Sequence, residues 1–249
     1  MEPLLPHRVT DSVATVVIHR PDKRNAMTAA MWRALPPLLD TLAADPAVRA
    51  LVLTGADGTF CAGADITTLT AVPGQAQRLA VAAEEALAAF PKPTLAAVRG
   101  HCVGGGVQLA AACDLRFAEE GALFGVTPAR LGVVYPASAT RRLASLVGPA
   151  TAKYLLFSGE LIGTERALRT GLVDEVLPAG GGLAERVAEF TRVLVSRSGL
   201  TQAAAKEFVD GRPGREPYWS AQADGSGDTA EGVAAFLERR PPRFTWSAS

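Results

Sequence analysis

Net charge, cysteine, histidine and long apolar runs are all scarce in this chain, and each shortage closes off a class of function. Lysine plus arginine equals aspartate plus glutamate at 25 each over 249 residues. No overall field therefore steers the chain toward nucleic acid or an anionic membrane, and an anionic ligand would have to be met by local basic residues. The three cysteines, Cys61, Cys102 and Cys113, sit inside apolar segments. Packing in a reducing compartment is their expected role. No His/Cys/Asp/Glu cluster has metal-ligand spacing and there is no nucleophilic Ser–His–Asp signature, so no metal is expected. The start, Met1 to Arg8, lacks the basic-then-apolar order of a signal peptide. The best apolar run is interrupted by Arg99, His101 and glycines, too soon to span a bilayer. These absences predict a soluble, cytoplasmic protein.

What the chain does have is a glycine cluster between two apolar runs. Thr94 to Val98 has the length and boundaries of a buried strand, and Val107 to Ala112 reads as a buried helix. Between them lies Gly104-Gly105-Gly106. Three glycines let the backbone approach a ligand closely, and the first N–H groups of a helix are left unpaired. An anion, or an oxygen that becomes one during a reaction, fits such a site. Taken alone, the cluster is equally well a tight turn with close helix packing. A second stretch breaks the tie. Leu51 to Gly55 reads as a strand, and Thr59-Phe60-Cys61-Ala62-Gly63-Ala64-Asp65-Ile66 follows it as another small-residue loop. Two loops of this kind, each after a strand, can converge on one oxygen from two sides, as an oxyanion hole of two amides requires.

The rest of the pattern alternates. A strand over Val13–His19 ends in the turn Pro21 to Asn25. A helix over Ala29–Leu42 is capped by Thr28 and expected to kink or restart at Pro36-Pro37. Further helices are predicted over Gln75–Phe90, Arg141–Leu156 and Thr164–Thr170, the last closed by Gly171. Strands are predicted over Asp114–Ala118 and Leu172–Leu177, with a loop from Phe124 to Pro136. After the linker Pro178 to Gly182 the chain reads as helices over Leu183–Arg197, Thr201–Asp210 and Thr229–Arg239, interrupted at Gly211-Arg212-Pro213-Gly214. Strands separated by helices indicate an α/β fold, and the length suits one large core with a helical extension.

The segments Phe60 to Ile66, Gly100 to Gln108 and Asp114 resemble the crotonase (enoyl-CoA hydratase/isomerase) superfamily. The resemblance extends to Arg20 through Met27, Phe157 to Glu160, Ala167 to Val173 and Phe236 to Pro241, and so covers nearly the whole chain in order. It implies a spiral of ββα turns over residues 1–195 and a C-terminal helical trimerisation region over 196–249, assembled as a homotrimer or homohexamer. It implies an acyl-CoA thioester substrate, with CoA as part of the substrate, no separate cofactor, and neither nucleic acid nor membrane as partner. The oxyanion hole falls to the N–H groups of Ala64 and Gly105. Arg24 and Arg239 match basic positions near the nucleotide end, although each is equally a solvated surface charge. Ala62, Gly63, Asp65 and Ile66 match the loop bordering adenine and pantetheine, with helix capping as the simpler reading of Asp65.

The acids depart from the family pattern. Hydratases of the family use two glutamates around one water. Gln108 stands at the first position, and an amide cannot take a proton at neutral pH. Pro128 or Ala129 stands at the second, depending on alignment. Losing one such group commonly costs about a hundred- to ten-thousandfold in rate. Thr127-Pro128 with Leu131 to Tyr135 is similar to the methylmalonyl-CoA decarboxylase branch. There the threonine contacts substrate and the tyrosine faces the acyl group, where it would orient a carboxylate or protonate the enolate carbon. A wall aromatic is the plainer role for Tyr135. That branch also keeps a glutamate where Gln108 stands and a histidine where Ala64 stands. The resemblance thus favours a decarboxylase-like or other atypical reaction over plain hydration. Two alternatives stand beside it: a true hydratase or isomerase that uses Glu84 or Glu85, both otherwise solvent-facing, and a non-catalytic acyl-CoA-binding subunit.

Overall fold

The computed structural model describes residues 5–66, 74–211 and 213–247, so Met1–Leu4 of the chain start and Arg212 of the glycine–proline break lie outside the described residues. Strand β1 (His7–Thr10) pairs antiparallel with β2 (Val13–Ile18), whose Ala14, Val16 and Ile18 alternate into the core. Parallel partners follow: β3 (Ala50–Gly55), β4 (Thr94–Val98), β6 (Leu115–Glu119) and β9 (Glu175–Leu177), giving the sheet order β1-β2-β3-β4-β6-β9. A second sheet contains β5 (His101–Val103), β7 (Leu123–Gly125) and β8 (Leu161–Gly163) in sequential neighbour order.

Each core turn visits both sheets and then a helix. Strand β4 leads through β5 into α3 (Gly105–Ala112), and β6 leads through β7 toward α4 (Ala137–Ser158). Strand β3 leads through an isolated parallel bridge, Cys61 to Cys102, toward α2 (Gln75–Ala88). The repeated strand–strand–helix step is the expected α/β spiral. β3 and β4 are covered on both faces, which explains their nearly continuous apolar sequence. One face carries the main core, including Trp32, Phe60, Phe90 and Phe124; the other packs Val52, Leu95 and Phe117 against Leu183 and Phe190 of α6 (Gly182–Val195).

Several predicted elements change. Helix α1 (Ala29–Ala44) runs through Pro36 and Pro37 without a break. The prolines avoid its buried stripe of Met31, Trp32, Leu35, Leu39 and Leu42, which holds the helix to the core. α4 begins before the predicted start and bends at Gly148, whose φ of 74° interrupts the helix just before Pro149. The predicted strand over Leu172–Leu177 shortens to β9. The Leu172 carbonyl and the Asp174 carboxylate are instead engaged by Arg116. β1, β5, β7 and β8, each only three or four residues long, appear where no strand was predicted. After α5 (Thr164–Arg169), β9 and α6, the chain ends in α7 (Gly199–Val209), α8 (Glu216–Ser226), which was not predicted, and α9 (Asp228–Leu237). Leu200, Ala203 and Trp219 form a small apolar cluster among these last helices. No helix among the described residues is long and apolar enough to cross a membrane.

Candidate active site

The two glycine-containing loops meet because their backbones are stitched side by side. Phe60 N–H donates to Arg99 O at 2.8 Å, Cys61 N–H to His101 O at 2.8 Å, and Val103 N–H to Cys61 O at 2.9 Å. α3 then starts directly against the first loop. A Cβ on Gly106 would stand 2.3 Å from Cys61 O, so only glycine allows this approach. The loop's other flank is fixed by Met27, whose N–H donates to Gly63 O at 2.8 Å and whose carbonyl accepts from Asp65 N–H at 2.9 Å.

That pattern leaves the Ala64 N–H pointing away from its bridge partner. The Gly105 N–H opens α3, where no earlier carbonyl of the helix can accept it. Neither group has an acceptor among the described residues. They are neighbours: a Cβ on Gly105 would lie 3.4 Å from the Ala64 nitrogen. Ala64 and Gly105 both line one cavity of about 160 Å³. Two neighbouring N–H groups without acceptors among the described residues therefore face one cavity.

Opposite and around the pair the same cavity is lined by Trp32, Gln108, Thr127, Pro128 and Tyr135, with Ile66, Leu131 and Val134 as an exposed apolar rim. Ala62 and Gly63 also line it. Asp65 does not; it pairs with Arg20 at 2.6 Å and so anchors the segment just after Ala64. Arg24 is exposed in a left-handed conformation, touching the site only through its carbonyl, which accepts from Ala62 N–H at 2.9 Å. Arg239 is exposed beyond α9 and is not among the lining residues. No aspartate or glutamate is among the described residues that line this cavity.

The expectation that Glu84 and Glu85 share one solvent-facing environment is corrected. Glu84 is fully buried: its Oε2 accepts from Gln108 Nε2 at 2.9 Å and from Ser138 Oγ at 3.0 Å, and its Oε1 pairs with Arg142. The bond to Glu84 fixes the Gln108 amide, because only the nitrogen side can face a carboxylate. Glu85 is half-exposed, 3.8 Å from Arg142, and lines a different, charged cavity behind α2. Tyr135 is likewise not a free hydroxyl. It donates to Gly104 O at 3.1 Å. Burial, and then the nearby Glu84 charge, push its hydroxyl well above the usual tyrosine range, so it stays a protonated donor.

Trp32, Gln77, Ser138 and Arg142 were not singled out from the sequence. Trp32 lies under Gly105, and its fully buried Nε1 has no hydrogen-bond partner. Its place in the buried stripe of α1 is legible, but not that it borders the cavity. Gln77 Nε2 donates to Val134 O at 2.9 Å, tying the start of α2 to the rim. Ser138 and Arg142 come from α4, and nothing in their local sequence marks Glu84 as their target. The three cysteines are buried as expected, and burial pushes Cys61 and Cys113 up to about 12. Among the described residues no group of side chains could hold a metal ion.

Comparison with known proteins identifies the family. The family model described as enoyl-CoA hydratase/isomerase matches residues 8–247. A solved structure of an enoyl-CoA hydratase/isomerase family member superposes with a TM-score of 0.91 at 38% identity, covering 98% of this chain and 97% of the other. The crotonyl-CoA hydratase of Syntrophomonas wolfei is 34% identical over 249 residues, 94% of this chain and 95% of the relative. A Bacillus subtilis protein named "Probable enoyl-CoA hydratase" is 34% identical over 249 residues, with 95% and 96% covered. With the family model, the relatives and the solved structure all matching nearly from end to end, the chain belongs to the enoyl-CoA hydratase/isomerase family.

Proposed function

We propose that this chain acts on acyl-CoA thioesters, holding the thioester carbonyl oxygen between the Ala64 and Gly105 N–H groups as it becomes an enolate. Loss of CO2, or another reaction that needs no carboxylate base, is favoured over plain hydration. The observation carrying this reading is the pair of unpaired N–H donors on a cavity with no carboxylate among its described lining residues. Residues 67–73, between Ile66 and α2, contain no acidic residue in sequence either.

For a substrate with a carboxylate on the α-carbon, the electron pair of the C–C bond to that carboxylate moves into the enolate as CO2 leaves. The enolate then takes a proton at the α-carbon from solvent and returns to the thioester. Two backbone donors at the oxygen stabilise the enolate, and one such donor is typically worth about a hundred- to a thousandfold. The neutral wall of Thr127, Pro128 and Val133 disfavours a charged carboxylate relative to neutral CO2. In this reading Arg24 and Arg239 meet the nucleotide phosphates of CoA. The C-terminal helices, with exposed Val233, Phe236 and Leu237, join three copies in the cytoplasm.

The test is turnover on crotonyl-, 3-enoyl-, methylmalonyl- and ethylmalonyl-CoA, with water addition and CO2 loss scored separately by mass. CO2 loss from a malonyl-type thioester is expected. Binding across the panel without turnover would move the reading to a non-catalytic acyl-CoA carrier.

Two observations favour a second reading. Glu84 sits one hydrogen bond behind the cavity, 2.9 Å from Gln108, and a relative carries the name crotonyl-CoA hydratase. Hydration by this chain would then depend on Glu84. Crotonyl-CoA hydration unaffected by Glu84→Gln would eliminate that version.

A further inference from the structure

The peptide unit that carries the Gly105 N–H is the same unit that carries the Gly104 carbonyl. That carbonyl accepts two hydrogen bonds, from Gln108 N–H at 3.0 Å and from the Tyr135 hydroxyl at 3.1 Å. The first is the ordinary opening bond of α3. The second comes from outside the helix, across the cavity. Gly104 itself has φ 53° and ψ −110°, a conformation that L side chains rarely adopt and that needs its surroundings to hold it. A donor on the carbonyl draws electron density through the amide, leaving the N–H at the other end a stronger donor, and it fixes the peptide plane.

Resting on the enolate chemistry proposed above, we infer that Tyr135 is a positioning residue for the oxyanion hole: its hydroxyl orients and polarises the Gly104–Gly105 peptide, and through it the Gly105 N–H. It does this without giving its proton to the substrate. The ring is held half-buried at the cavity wall, with its proton directed to Gly104 O. The partner amide, Ala64 N–H, has weaker support: the preceding carbonyl, Gly63 O, accepts from Met27 N–H and, as its second donor, only weakly from the Cys61 thiol at 3.6 Å. The two donors of the hole are thus unequal, and Tyr135 strengthens one of them.

The sequence allows a direct reading of this peptide. Only four Gly–Gly peptide bonds occur, 104–105, 105–106, 180–181 and 181–182. Full-length protein labelled with [1-13C,15N]glycine therefore gives four cross-peaks in a carbonyl–amide correlation spectrum. Tyr135→Phe removes only the hydroxyl. The 104–105 cross-peak is expected to move upfield in both 13C and 15N, with the two peaks from the 180–182 linker unchanged. Replacement of all tyrosines by 3-fluorotyrosine, whose phenol is a stronger donor, is expected to move the same peak the opposite way, so the test survives if the phenylalanine variant folds poorly. A 104–105 peak that stays in place in both proteins overturns the inference.

A second readout is the carbonyl stretch of bound [1-13C]butyryl-CoA. In the wild type it is expected below its solution frequency, and in Tyr135→Phe part of the way back, with affinity within about threefold. The corresponding loss in kcat is about three- to tenfold with KM within about twofold, because a strengthened donor is worth a fraction of a whole one. A shifted stretch that Tyr135→Phe leaves untouched overturns the inference. A wild-type stretch at the solution frequency overturns the thioester reading of the hole instead, and the four-peak spectrum still decides the role of Tyr135.

Discussion

The two walls of the cavity are built in different ways. One is backbone: Ala64 and Gly105 present N–H groups whose positions are set by strand pairing and by glycines that tolerate no Cβ. The other is side chain: Gln108, Thr127 and Tyr135 come from α3 and from the segment after β7; Gln108 is held by Glu84 of α2, itself bound by Ser138 of α4, and Tyr135 by the Gly104 carbonyl. A backbone wall is hard to alter without unfolding the protein. A side-chain wall can exchange an acid for an amide and keep the fold. The Gln108 side chain therefore stands beside the two N–H groups without bearing on how their loops are held.

Substitutions at the backbone wall should have the largest effects. Gly106→Ala sets a methyl 2.3 Å from a backbone carbonyl that cannot swing aside. Chemical denaturation should register a loss of about 3 kcal/mol or more. A loss below about 1 kcal/mol would mean the two loops are less tightly joined than described.

Behind the side-chain wall lies the buried charge of Glu84, and removing its partner should come next. Arg142→Met leaves Glu84 with only neutral donors, Gln108 and Ser138. The expected cost is about 2–3 kcal/mol, below the full range for buried pairs because Arg142 is a quarter exposed. Replacing Glu84 and Arg142 together, as Glu84→Gln with Arg142→Met, should restore most of that loss. A double variant as unstable as the single one would break the proposed pairing.

Gln108→Glu combined with Glu84→Gln sharpens the contrast, since the exchange keeps a hydrogen bond between the two positions while moving the acid to the cavity wall. If an acid at position 108 is what water addition requires, crotonyl-CoA hydration should rise about tenfold or more. No rise would place the limit elsewhere in the cavity.

The smallest effects lie away from the hole. Cys61 and Cys113, pushed from 9.0 up to about 12 by burial, hold their protons in the fold at pH values where an unfolded thiol has lost its own. Stability should therefore fall as pH rises from about 9 toward 12, and iodoacetamide should not label the native protein at pH 8. Glu231 goes the other way. Arg240, with help from the Arg243 N–H, lowers it from 4.5 to about 2, so its contribution is present above 4.5 and is lost as pH falls through that window. Comparing the acid limbs of wild type and Glu231→Gln would detect it, as a small difference at this exposed pair.

Legibility in the sequence followed the same division. The strand–glycine–helix pattern at Thr94 to Ala112 announced the backbone wall because glycine at a close approach is a local requirement. The apolar runs of β3 and β4 were equally plain, being buried on both faces. The short strands β5, β7 and β8 were missed, since three residues carry too little periodicity, and their pairing partners lie about 20 to 40 residues away. The Glu84–Arg142 pair and the bond from Tyr135 to Gly104 were missed for the same reason. They exist only once α2, α3 and α4 are packed together, and α1 passed through two prolines because its buried face outweighed two missing backbone bonds.

The measurement that most directly tests a hole without an acid is incubation of the wild-type protein with crotonyl-CoA in H2(18)O and with methylmalonyl-CoA in D2O, read by mass. The account predicts deuterated propionyl-CoA from the second and little or no 18O at the β-carbon from the first. Rapid 18O incorporation that disappears in Glu84→Gln, with no CO2 released, would contradict it.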